Sequence, residues 1–404
     1  MTYPLHQGVG HPVPGIRLAS TAAGIRYADR DDLCLLEMAA AGQVAAVFTQ
    51  NRFCAAPVVV AKQHLAADEV ARYLLINAGN ANAGTGAAGE QVARASCALV
   101  AEQAGCEPEQ VLPFSTGVIG EDLPLAPIRA ALPTLLANLE QDAWPAAAAS
   151  IMTTDTRPKL CSSTLEIAGQ QVTITGMAKG SGMIHPDMAT MLAYIATDAQ
   201  IARPVLQSML QTAVAQSFNA ISVDGDTSTN DACVLLASGA SGVEIQPDTE
   251  AARRMQAALN AVSHDLAQQI IQDGEGATKC VTIRVEQAAT EQEARLVAEP
   301  IAGSPLVKTA LFASDPNWGR ILAAVGRAPV ARLDIHALRI WLDEVCIVSG
   351  GGRDPGYPEA AGQQVLWLDE FTIRVVLQQG EATAELLTCD LSYDYVRINA
   401  DYRS

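Results

Sequence analysis

Helical and strand-like stretches alternate along this chain, and that alternation restricts its fold more than any other feature. Ala/Leu-rich stretches with apolar residues three and four apart cover residues 89–105, 125–139, 204–218 and 250–272. Short apolar and β-branched runs lie before, between and after them, at residues 72–77, 111–114, 191–196, 232–238, 280–286, 345–348 and 371–377. A further run, 165–175, turns on itself at Ala168-Gly-Gln. Elements that interleave in this way predict an α/β fold, because amphipathic helices bury their apolar stripes against sheet faces. A break in the second helix is expected at Pro133, which removes a backbone donor. With 404 residues, 49 % of them hydrophobic, the chain can bury large cores as two or three domains or one large α/β unit. It carries no low-complexity stretch and no fixed-period repeat.

The segment Lys179-Gly-Ser-Gly-Met-Ile-His-Pro-Asp-Met-Ala-Thr190 delivers a threonine to the start of the apolar run 191–196. A hydroxyl is a poor nucleophile at neutral pH unless a base removes its proton. A chain cut immediately before a threonine supplies that base as the new α-amine. The competing reading is an ordinary first residue of a strand. His185 and Asp187 stand close to Thr190 in sequence, which carries no hydrogen-bonding geometry, so a turn is the better reading of them than a triad. Lys179 is one of five lysines against twenty-one arginines. Its glycine-flanked place suits a carboxylate-binding role as well as a solvated loop.

Other blocks extend the pattern: Asn77-Ala-Gly-Asn-Ala-Asn82, Ser115-Thr-Gly-Val-Ile-Gly120, Met152-Thr-Thr-Asp-Thr156, Asp224-Gly-Asp-Thr-Ser-Thr-Asn-Asp231, Asp273-Gly-Glu-Gly-Ala-Thr-Lys279, Asp315-Pro-Asn-Trp-Gly-Arg320 and Ile398-Asn-Ala-Asp-Tyr-Arg-Ser404. In this order, and over essentially the whole chain, they resemble the ornithine acetyltransferases, or glutamate N-acetyltransferases, of arginine biosynthesis. The resemblance implies a layered αββα sandwich similar to N-terminal-nucleophile hydrolases, with a smaller C-terminal α/β portion. It implies self-cleavage at Ala189-Thr190 into an alpha chain, 1–189, and a beta chain, 190–404, assembled as a heterotetramer of two of each. Thr190 would then be the nucleophile, with the Thr116 side chain and the Gly117 backbone N–H as the oxyanion hole. Thr153, Lys179, Thr190, Glu275, Asn399 and Ser404 would bind substrate. Family chains usually end in threonine, and Ser404 keeps the hydroxyl and the α-carboxylate. The implied reaction moves an acetyl group from N2-acetylornithine to glutamate by a ping-pong mechanism. No cofactor is expected, and acetyl-CoA is the one candidate co-substrate, which would make the enzyme bifunctional.

Residue chemistry narrows the partners independently. A formal net charge of −18 repels nucleic acid and anionic membrane surfaces, so small molecules are the expected partners. No run of 18 apolar residues and no basic-then-apolar leader is present, which points to the cytoplasm. Nine scattered cysteines without a Cys-x-x-Cys read as small apolar residues in a reducing compartment. Asp224-Gly-Asp-Thr-Ser-Thr imitates a calcium loop but has Thr229 at its sixth position and Leu235 at its twelfth, so no metal is expected. Gly84-Thr-Gly-Ala-Ala-Gly89 satisfies a dinucleotide spacing without its strand context. Two other functions remain open: an N-terminal-nucleophile amidohydrolase or aminopeptidase, and a non-catalytic metabolite-binding protein.

Overall fold

A computed structural model describes residues 4–67, 71–185 and 191–402. They form two compact units: residues 4–67, 71–183, 191–219 and 226–270 in the first, and 184–185, 220–225 and 271–402 in the second. Among the described residues no helix is long and apolar enough to cross a membrane.

The first unit contains two main sheets. In spatial order the larger has strands Leu5–Gln7, Lys159–Ile167, Gln170–Lys179, Leu192–Thr197, Ala232–Ala237 and Gln43–Phe48. The smaller has Ile16–Thr21, Leu33–Met38, Tyr73–Asn80 and Val111–Val118. Leu18, Leu36, Leu74 and Phe114 of the smaller sheet share one buried core with Met177, Tyr194, Val234 and Leu236 of the larger. The Phe114 and Tyr194 rings meet edge to face across it, 5.3 Å apart. On its other face the smaller sheet buries Leu33, Leu35, Leu75 and Val111 against Cys97 and Val100 of helix Gly86–Ala104 and Ile128, Leu132 and Leu135 of helix Leu125–Ala137. Helix Arg203–Ala215 packs on strands Gln43–Phe48 and Ala232–Ala237 of the larger sheet. Helix Glu250–Gln272 lies so close to Gly176 that a Cβ there would stand 2.8 Å from Leu266. Alternating faces of period two against helices of period 3.6 thus produce the expected αββα layering.

Two local expectations need correction. Helix Leu125–Ala137 continues through Pro133. The proline lies on the exposed side, while the apolar stripe of Ile128, Ala131, Leu132 and Leu135 on the other side is buried, and tertiary packing overrides the local cost. The strand expected to end at Phe114 continues to Val118, so Ser115, Thr116 and Gly117 belong to a sheet and not to a turn.

The second unit is itself α/β. Its seven-stranded sheet runs Ile221–Ser222, Ala382–Cys389, Cys280–Ala288, Glu370–Val376, Arg339–Leu342, Val345–Ser349 and Gly352–Arg353. Val281, Ile283 and Val285 point with Ile373 and Val375 into a core closed by Val297, Ala298 and Ile301 of helix Glu291–Ala302.

Candidate functional site

In the first unit, strand Val111–Val118 runs parallel to Tyr73–Asn80, with Thr116 opposite Ala78 and Gly117 opposite Gly79. The register slips at Asn80, a bulge that re-aims the strand end. Gly117 has φ +136°, and a Cβ there would lie 2.2 Å from the Gly79 carbonyl carbon, so only glycine fits. Buried polar side chains hold this point. Ser115 Oγ donates to Asn77 Oδ1 at 2.6 Å, and Asn77 Nδ2 donates to the Asn80 carbonyl at 2.8 Å. Asn230 Nδ2 donates to the carbonyls of Ser115, at 2.9 Å, and Ala81, at 2.7 Å. With its carbonyl held, the peptide plane leading into Thr116 is set before any ligand arrives, as a charge-stabilising donor site needs.

Lys179 ends strand Gln170–Lys179 and is buried. Its Nζ donates to Thr116 Oγ1 at 3.0 Å and to Thr153 Oγ1 at 2.9 Å. A threonine hydroxyl that accepts from an ammonium keeps its own proton to donate elsewhere. Thr116 is therefore polarised as a donor. Lys179 also pairs with Leu192, two positions beyond Thr190 in sequence. Of the two threonines in Met152-Thr-Thr-Asp-Thr156, Thr153 reaches Lys179, whereas Thr154 Oγ1 lies 2.7 Å from Ser181 Oγ.

Asp155, in the same block, was not singled out from the sequence, although Lys159 four residues on was a signal. It forms a buried ion pair, Oδ1 to Lys159 Nζ at 2.6 Å, and accepts from the N–H groups of Gly180 at 2.7 Å and Thr153 at 3.1 Å. Burial pushes its pKa up, but the charges of Lys179 and Lys159, the Lys159 hydrogen bond and the Gly180 N–H outweigh that and hold it at about 2. A carboxyl depressed on folding adds stability above its unfolded pKa, near 4, and that stability drains away as pH falls towards about 2. Asp155→Ala removes one partner of a buried ion pair with Lys159, so urea unfolding should show a loss of about 3–5 kcal/mol at neutral pH. An unchanged midpoint would show that the ion pair does not hold this loop.

In the second unit, Glu275 lies in the segment before strand Cys280–Ala288 and is buried. Its Oε2 accepts from Asn399 Nδ2 at 2.7 Å. Helix Tyr393–Ala400 carries Asn399, and its entry is tied down where Ser392 Oγ donates to the Gly276 carbonyl at 2.6 Å. Asp390 adds acceptors for the Thr278 and Lys279 N–H groups, at 2.7 and 2.9 Å. Asp224, from the calcium-like segment, accepts instead from the Ile184 N–H at 2.9 Å and the Tyr395 hydroxyl at 3.3 Å. Among the described residues no group of three His, Cys, Asp or Glu could hold a metal.

The structure thus brings Thr116, Gly117, Thr153 and Lys179 together in the first unit, and Glu275 and Asn399 in the second. Ala189, Thr190 and Ser404 lie outside the described residues.

Comparison with known proteins agrees on one family. The ArgJ family matches residues 17–404. A protein of Methylococcus capsulatus named arginine biosynthesis bifunctional protein ArgJ is 59 % identical over 394 residues, which cover 97 % of this chain and 96 % of that protein. One of the same name from Psychrobacter arcticus is 55 % identical over 396 residues, covering 98 % and 97 %. Among solved structures, the arginine biosynthesis bifunctional protein ArgJ of Bacillus halodurans is 40 % identical with a TM-score of 0.49, covering 51 % of this chain and 96 % of that one.

Proposed function

Because the chain belongs to the ArgJ family, we propose that it is an acetyltransferase of arginine biosynthesis, moving the acetyl group of N2-acetylornithine to glutamate. In this reading the chain cuts itself at Ala189-Thr190. The Thr190 hydroxyl then attacks the acetyl carbonyl while its α-amine takes the hydroxyl proton. Charge gathers on the carbonyl oxygen, where the Thr116 hydroxyl and the Gly117 N–H stabilise it. As the C–N bond breaks, the α-amine returns the proton to departing ornithine, leaving acetyl-Thr190. The glutamate amine repeats these steps in reverse and leaves as N-acetylglutamate. Lys179 and Thr153 serve the substrate together with Glu275, Asn399 and Ser404, with Glu275 the partner for a substrate ammonium.

One observation carries this reading: a buried ammonium hydrogen-bonded to the hydroxyl of Thr116, beside a glycine that no other residue can replace. In this reading acetyl-CoA is a second acetyl donor to the same threonine, which would make the enzyme bifunctional. The two chains, 1–189 and 190–404, would assemble in the cytoplasm as a heterotetramer of two of each.

A covalent intermediate forces the first product out before the acceptor reacts, so double-reciprocal plots for acetylornithine and glutamate should be parallel. Incubation with acetylornithine alone should add one acetyl group to the chain that begins at Thr190, read by intact mass. Intersecting lines together with an unlabelled chain would establish direct transfer instead.

A further inference from the structure

In the second unit, residues 388–395 are a template on which the segment around Glu275 is moulded. Gly274 lies against Cys389, where an added Cβ would stand 3.3 Å from Sγ. Gly276 has φ +69°, and a Cβ there would lie 2.6 Å from both Ser392 Oγ and the Tyr395 nitrogen, so only glycine fits. Glu275 is held between these two glycines, and its Oε2 accepts from Asn399 at the far end of helix Tyr393–Ala400. Asp390 closes the contact. Its Oδ1 accepts from the N–H groups of Thr278, at 2.7 Å, and Lys279, at 2.9 Å, and its Oδ2 accepts from the Thr278 hydroxyl at 2.7 Å. Buried Lys308 pins the template in turn: its Nζ donates to Thr388 Oγ1 at 3.0 Å and to the Cys389 carbonyl, and its own carbonyl accepts from the Leu391 N–H at 3.1 Å.

Asp390 is buried, and these three side-chain hydrogen bonds all go to the loop just before strand Cys280–Ala288. The strand does not need them for its register, which is set from Cys280 onward by pairing with Glu370–Val376 on one side and Ala382–Cys389 on the other. What the carboxylate fixes is the loop, through two successive N–H groups and a hydroxyl. A group already fixed in place loses little when its ligand arrives, whereas a loose one must be ordered first. Resting on the transfer reading above, we propose that Asp390 is a positioning residue for the substrate ammonium, holding the 275–279 loop so that the Glu275 carboxylate and the Asn399 amide stand ready together. N2-acetylornithine keeps a free ammonium on its side chain, and glutamate has a carboxylate at that end, so the effect falls on the donor substrate.

Asp390→Ala and Asp390→Asn test this, compared as fully cut protein. The alanine removes all three contacts, while the asparagine amide oxygen still takes the two N–H groups. Asp390→Ala should raise KM for acetylornithine about 10-fold, with kcat and KM for glutamate within about twofold, and Asp390→Asn should bring KM back to within about threefold of wild type. On a Glu275→Gln background the alanine should add less than about twofold, because its effect runs through that carboxylate. An unchanged KM in Asp390→Ala overturns the proposal, as does an alanine effect that adds in full to Glu275→Gln, or one that tracks loss of kcat and of folded protein together. If Asp390→Ala does not fold or is not cut, Thr278→Val removes the hydroxyl contact alone and should raise the same KM roughly 2- to 5-fold at constant kcat, an unchanged KM again being fatal. Glu275→Gln with wild-type KM for acetylornithine defeats the substrate reading of Glu275 and this proposal with it. A raised KM there beside an indifferent Asp390→Ala defeats only this proposal.

Discussion

Thr190→Ala is expected to leave a single uncut chain whose transferase turnover is lower by about 10⁴-fold or more, because one hydroxyl is asked both to open the chain and to carry the acetyl group. Mass spectrometry reads the first effect and steady-state assay the second. Thr190→Ser keeps the hydroxyl and should retain both functions at reduced rate. Recovery of wild-type turnover from an uncut Thr190→Ala protein would remove the nucleophile from the mechanism.

The second large effect is at Thr116. Its hydroxyl accepts from Lys179, so its own proton is available to a developing oxyanion and gains most when the charge is greatest. Thr116→Ala should lower kcat by roughly 10²–10³-fold with a smaller change in KM, the pattern of a contact made chiefly in the transition state. Only fully cut protein gives a fair comparison, since slow maturation imitates slow turnover. Cleaved Thr116→Ala with wild-type kcat would take the residue out of the oxyanion hole and leave the rest of the reading in place.

Much of the central architecture was readable because its periods are strong. The helix predicted over 250–272 appears as Glu250–Gln272, and the run 165–175 turns at Ala168 as its sequence predicts, although the hairpin itself extends from Lys159 to Lys179. Boundaries failed where distant contacts decide them. Residues 115–118 look like a turn in isolation, and only pairing with Tyr73–Asn80 makes them strand. Thr116 and Lys179 stood out through composition and motif, but their hydrogen bond joins residues 63 positions apart and has no local trace. Asp155 has Lys159 close in sequence, but Lys179 and Gly180, from a distant strand end, complete its surroundings. Asn399 had no local signal, and the helix Tyr393–Ala400 that presents it is short.

The larger sheet of the first unit has a further consequence. Strand Gln170–Lys179, from before residue 190, is paired with Leu192–Thr197, from after it, through a register running from Ile174 opposite Thr197 to Lys179 opposite Leu192. On the far side, Ala232–Ala237 is paired in turn with Gln43–Phe48, so the two strands from after residue 190 lie side by side, flanked on both edges by strands from before it. Hydrolysis at Ala189-Thr190 would therefore divide the polypeptide without dividing the molecule. Fragment 1–189 would leave Gln170–Lys179 and Gln43–Phe48 each without one ladder neighbour, and fragment 190–404 would leave Leu192–Thr197 and Ala232–Ala237 likewise, so two backbone seams would stitch the pieces together as tightly as a native interior. Such a protein would migrate as one species until denatured. Once pulled apart, its fragments would have to find each other again as a bimolecular event, so unfolding that the intact precursor could reverse would become, for the mature enzyme, a matter of concentration.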